Sequence, residues 1–185
     1  MTRGARPALQ VDVLVRSDHW QDPRAAATIV RRAVLRAAAA TLSTSPAELA
    51  IVLTDDPTIR ALNRDWRGID AATNVLSFPT KNTGGRHLGD IVLAYETIAR
   101  EARREHKPFA HHVAHLAVHG FLHLAGYDHE GNREALVMED AERAILRQLA
   151  IPDPYRARGR NNVGQPPRRP AKKDGRRGAR VASGA

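Results

Sequence analysis

The sequence predicts an α+β fold in which a mixed four-stranded sheet packs against helices. Three observations lead there. The 185 residues are 42% hydrophobic, enough for one domain with a core. Two-residue and helical periodicities alternate along the first half in the order β-α-β-α-β-β, and three consecutive helical patterns follow, with no internal repeat.

"LQVDVLVRS" alternates apolar and polar residues from Leu9 to Val15 and reads as a strand exposed on one side. Asp22-Pro23 suits a helix start, and "RAAATIVRRAVLRAAAATLS" continues with Ile29, Val30, Ala33, Val34 and Ala37 on one face. "ELAIVLTD" is nearly unbroken in its apolar run, as a strand covered on both faces should be. Asp55 or Asp56 then caps "PTIRALNRDWRG", which Gly68 ends. "TNVLSFPT" and "HLGDIVLAY" are two strands joined by the "KNTGG" turn, short enough for an antiparallel pair. "ETIAREARREH" is an amphipathic helix ending before Pro108, "FAHHVAHLAVHGFLHLA" an apolar one, and "NREALVMEDAERAILRQLA" the last, stopped by "IPDP". Met138 belongs to the core.

The domain organisation expected is a flexible N-terminus over 1–8, one folded domain over 9–155 and a disordered basic tail over 156–185, rich in Pro, Gly and Arg. From Pro152 to Ala185 ten Lys or Arg residues face two aspartates, so eight of the nine formal positive charges lie there. The body is nearly neutral. The tail reads either as a solvated extension or as a non-specific RNA tether. With no cysteine, disulfides and thiolate metal sites are excluded. The N-terminal apolar run is interrupted by Asp12, and no stretch of eighteen apolar residues occurs, so neither a signal peptide nor a membrane span is expected. A cytoplasmic protein is the default.

Seven of the nine histidines fall between His106 and His129. His115, His119 and His123 are spaced by four, on one helical face among apolar neighbours, and buried imidazoles need partners. A metal is such a partner. "HGFLHLAGYDH" has the spacing H-x3-H-x5-H, with Gly126 able to adopt the left-handed turn that brings His129 back toward His119 and His123. A lone H-x3-H pair is commonly a coincidence; the third histidine in the register of the metzincin motif H-E-x-x-H-x-x-G-x-x-H decides for a metal. The predicted ligands are His119, His123 and His129, holding one zinc ion per chain, although nickel or copper also suits an all-nitrogen site. Three ligands leave a position open, as in catalytic sites. His115 is better placed to support the ligands or face substrate than to ligate, and Asp128 is a candidate to hydrogen-bond a ligating imidazole.

Gly120 stands where that motif has its glutamate, the proton carrier of peptide hydrolysis, so an atypical peptidase lacks its base. Phosphodiester cleavage depends on that residue less. Zinc lowers its water's pKa to about 7, RNA brings its own 2′-hydroxyl, and arginine can meet the developing phosphate charge.

"HLAVHGFLHLAGYDH", with "LNRDWRGIDAATNVLSFP" and "LGDIVLA" earlier in the chain, resembles the bacterial YbeY family of rRNA maturation factors over roughly Leu9 to Tyr155. The resemblance implies a zincin-like fold with its metal site at the end of a buried helix, in a cytoplasmic, zinc-dependent, single-strand-specific endoribonuclease. It implies 16S rRNA 3′-end maturation, ribosome quality control and partnership with rRNA and the small ribosomal subunit, with small-subunit proteins or an assembly GTPase as further partners. It assigns His119, His123 and His129 to the metal, and Arg67 and His115 to catalysis, Arg67 also binding substrate. By residue type alone, Arg67 reads as compensation for helix-end carbonyls. The competing function of another class is a non-catalytic assembly factor with a structural zinc.

Asn74 and Ser77 read equally as cleft-facing or outward-facing. Trp20 and Trp66 are candidate base-stacking residues, though 4% aromatic content provides no interleaved aromatic and basic platform.

Overall fold

A computed structural model describes residues 9–42, 47–80, 86–127 and 131–156. Nine elements follow in the order expected: β1 (Leu9–Val15), α1 (Pro23–Thr41), β2 (Ala47–Thr54), α2 (Asp56–Arg67), β3 (Val75–Pro79), β4 (His87–Ala94), α3 (Tyr95–Arg104), α4 (Phe109–Leu124) and α5 (Asn132–Gln148). The chain divides by its internal contacts at Pro154, and of the second unit only Tyr155 and Arg156 are described. The expected flexible 1–8 and, apart from Arg156, the expected disordered tail lie outside the described residues.

The sheet runs β1-β2-β4-β3. β1, β2 and β4 are mutually parallel, and β3 is antiparallel to β4 with Ser77 opposite Ile91. The central position of β2 explains its unbroken apolar run. Alternation then divides the strands between two cores. Leu49, Ile51, Leu53, Ile91 and Leu93 share one core with α1 and α4, while Leu76, Val92 and Ala94 share the other with Ile59 of α2. Helices therefore cover both faces, and α2 and α4 lie on opposite sides of the edge strand β3.

Local chemistry fixes the helix ends. Asp22 caps α1 by accepting from Ala25 N, and Asp55 caps α2 by accepting from Thr58 N at 3.0 Å. Asp56 instead bonds to Thr97 at the start of α3, and Glu96 returns a bond to Asp56 N. β3 begins two residues later than its pattern suggests, where its partner β4 ends at Ala94 and the Asn74 side chain accepts from Val75 N at 2.7 Å. Trp20 is 3% exposed and donates to Thr54 O, so it is a core residue closed to RNA. No helix among the described residues is long and apolar enough to cross a membrane.

The seating of α4 depends on Gly120. A Cβ there would lie 2.9 Å from Ile91 Cγ2 and 3.1 Å from Ser77 Oγ, and the Ser77 hydroxyl already donates to the Gly120 carbonyl at 3.0 Å. Ser77 is thus turned toward the helix. The position of the metalloprotease glutamate points into the sheet, where a carboxylate side chain has no room.

Gly120→Ala should lower stability, because overpacking at about 1–3 kcal/mol exceeds alanine's helix advantage of about 1 kcal/mol. Gly120→Glu should prevent cooperative folding. Urea unfolding followed by circular dichroism checks both; an unchanged midpoint for the alanine variant contradicts the seating.

Candidate metal centre

Nearly every side of α4 is apolar and buried, including Val113, Leu116, Ala117, Val118, Phe121 and Leu122. Of its five histidines, His111 stands apart and the other four form one polar row, His112, His115, His119 and His123, spaced three and four residues apart so that successive rings meet. The row finds its partners on neighbouring helices. His112 Nε2 pairs with Glu101 Oε2 of α3 at 2.9 Å. His119 Nδ1 lies 2.6 Å from Glu142 Oε1 of α5, and His115 Nε2 lies 3.4 Å from the other oxygen of the same carboxylate.

Glu142 is 1% exposed in its side chain. Burial alone pushes its carboxyl up, but the imidazoles of His115 and His119 outweigh that and hold it at about 2. An ionised carboxylate only accepts, so His119 carries a proton on Nδ1, and in the neutral ring that a metal requires Nε2 presents the lone pair.

That lone pair faces a second ring. His119 Nε2 and His123 Nε2 are 3.2 Å apart. Two nitrogens bound to one tetrahedral zinc at 2.0–2.1 Å are separated by about 3.3 Å, so the pair fits a shared ion. A carboxylate behind one ligating ring is the common arrangement for orienting such a histidine. Among the described residues no group of three His, Cys, Asp or Glu side chains is arranged to hold an ion. The third expected ligand, His129, lies outside the described residues, as does Asp128. The helix end before it is defined. Gly126 has φ +89°, its N–H donates to His123 O, and Tyr127 N donates to Leu122 O, which together form a Schellman turn.

Arg67 is the last residue of α2 and is exposed, with Gly68 closing the helix in the left-handed conformation. Its helix packs in the core on the other face of the sheet from α4, and among the described residues Arg67 makes no hydrogen bond or ion pair with the imidazoles. The segment between Arg67 and β3 is firmly held: Arg60 clasps Asp70 through two bonds of 2.7 and 2.8 Å, and Asn63 donates to Ala71 O. Asn74 donates to Glu101 Oε2, the oxygen that also meets His112, so hydrogen bonds join this segment to α4. Asn74 is therefore a joint.

The profile of the Endoribonuclease YbeY family matches residues 15–150. The endoribonuclease YbeY of Rhodopseudomonas palustris strain BisB18 is 53% identical over 170 residues, covering 88% of this chain and all of that protein. The chain belongs to the YbeY family. Its YbeY relative from Nitrobacter hamburgensis is 55% identical over 159 residues, covering 80% of this chain and 84% of that one. A Thermotoga maritima protein solved in solution has the same fold, with a TM-score of 0.56 at 20% identity over 87% of this chain and all of that one.

Within this YbeY-family chain, Glu142 is the site residue that sequence reasoning missed. Its signal was present: Met138, Glu142 and Ile145 occupy one face of α5, a carboxylate on an otherwise apolar stripe. Such a residue needs a buried partner, and only the fold shows that α4 provides two.

The acid limb of stability tests this pairing. The Glu142 carboxyl has a value of 4.5 when unperturbed and about 2 when folded, so its contribution is full above 4.5 and lost as pH falls toward 2. The stability difference between the parent and Glu142→Gln should therefore shrink over that window in urea melts of chelator-treated protein. A constant difference contradicts the assignment.

Proposed function

We propose that the protein is a metal-dependent, single-strand-specific endoribonuclease that matures the 3′ end of 16S rRNA in the cytoplasm and takes part in ribosome quality control. The observation that carries the metal dependence is the convergence of His119 and His123 Nε2, with Glu142 fixing the tautomer of His119. His129 completes the ligand set after the Gly126 turn, in a zincin-like arrangement. The names of the 50–55% identical relatives support the nuclease activity.

His119, His123 and His129 would hold one zinc ion. When bound, the ion supplies Lewis acidity toward an oxygen nucleophile or a phosphoryl oxygen. Glu142 holds the Nδ1–H of His119 and so turns its Nε2 toward the site. His115, whose Nε2 approaches the same carboxylate, holds its proton next to the ligand row and supports the ligands. Arg67 binds a phosphate of the substrate as an exposed, permanently charged donor. Gly120 speaks against a peptidase, since the proteolytic base is absent and even a Cβ at its position would press on Ile91 and Ser77. Single-stranded rRNA on the small ribosomal subunit is the proposed substrate, with small-subunit proteins or an assembly GTPase as partners.

Metal content by mass spectrometry and cleavage of single-stranded RNA with and without chelator test this reading. One zinc per chain and chelator-sensitive cleavage are expected. His119→Ala and His129→Ala should each lose the metal and at least about 100-fold in activity, and Arg67→Ala should lose about 100-fold with metal retained. Undiminished cleavage by highly purified His119→Ala would refute the mechanism, and four protein ligands would favour a structural zinc. Glu142→Gln should weaken zinc about 10–100-fold in chelator competition. Product ends identify the nucleophile: a cyclic phosphate marks the 2′-hydroxyl, a directly formed 5′-phosphate marks water.

A further inference from the structure

Trp66 is the most exposed of the large hydrophobic side chains described, at 72%. It occupies the last turn of α2, beside Arg67. Its ring meets Phe78 of β3 only by an edge, with centroids 5.8 Å apart and planes at 66°, so most of the indole surface remains open. An open aromatic face of this kind is a platform on which a planar base can stack.

The surrounding charges indicate what would cover it. Arg60 is engaged by Asp70 and Arg64 by Asp65, so the acids of this surface already have cations. Arg67 has no carboxylate partner among the described residues. An open indole face next to an uncompensated guanidinium matches the two parts of an unpaired nucleotide, the base for stacking and the phosphate for charge. A protein partner would find little apolar surface beyond Trp66 and Ile69. The location is also tied to the histidine row: the segment that follows Arg67 leads to Asn74, which shares Glu101 Oε2 with His112.

We propose that Trp66 and Arg67 form a subsite for one unpaired nucleotide of single-stranded RNA, the base stacked on the indole and the phosphate held by the guanidinium. The proposal rests on the ribonuclease reading and adds to it a reason for single-strand preference. A base inside a duplex is stacked on both sides and cannot offer its face to Trp66.

The chain contains two tryptophans, and Trp20 is buried with its Nε1 bonded to Thr54 O, so quenching of tryptophan fluorescence by a bound base reports on Trp66. The full, metal-loaded chain is titrated with a cleavage-resistant 2′-O-methyl oligoribonucleotide, single-stranded or annealed to its complement. Quenching by the single strand and little by the duplex is expected. Trp66→Ala should bind the single strand about tenfold more weakly or worse, Trp66→Phe should keep most of the affinity while losing the quenching, and all three should share one melting temperature. Equal affinity of Trp66→Ala and parent overturns the subsite, as does equal quenching by the duplex. Normal oligonucleotide binding by Trp66→Ala with lost association to purified small ribosomal subunits would make Trp66 a protein contact and overturn it equally. If the parent binds no oligonucleotide, the ribonuclease reading fails as well; if it binds and cuts RNA while Trp66→Ala matches it, only the subsite fails.

Discussion

A helix buried on nearly all sides and carrying a row of imidazoles must find a partner for each ring, and that requirement organises this molecule. An unmatched buried polar group costs about 1–3 kcal/mol, so four unmatched imidazoles would consume much of a small domain's stability. Glu101 and Glu142 approach α4 from two different helices, and His119 and His123 meet each other. The packing of α3 and α5 is thereby tied to the same side chains that give α4 its chemistry. Apolar burial selects where α4 lies, and the carboxylates select how it is rotated.

Much of this was legible from residues alone. The order of elements, the caps at Asp22 and Gly68 and the antiparallel β3–β4 pair follow from periodicity and turn chemistry, which act over a few residues. The histidine row was readable for the same reason, since a helical face is a local object. Glu142 was not, because its partner is 23 residues away and reaches it only through packing of α4 on α5. The orientations of Asn74 and Ser77 were equally unreadable: strand alternation assigns two faces without saying which one a helix will cover. Trp20 shows the converse case, where a residue chemically suited to RNA is taken by the core.

Gly120 unites the two kinds of information. In sequence it is the loss of a proteolytic base. In the fold it is the point where α4 comes closest to β3 and β4. The same absent side chain removes one chemistry and permits the packing that positions the neighbouring histidine, so its identity is constrained from two directions.

β3 is only five residues long, yet both helices built around it read it, one from above and one from below. Ser77 must face Gly120 while Phe78 faces Trp66. Sliding this strand by a single position against β4 would exchange the two, driving a phenyl ring at a helix where even a methyl presses on Ile91 and Ser77, and leaving the indole over a hydroxyl. A mispaired edge is thus rejected on both sides at once, and so short a strand acquires an unambiguous alignment from its neighbours.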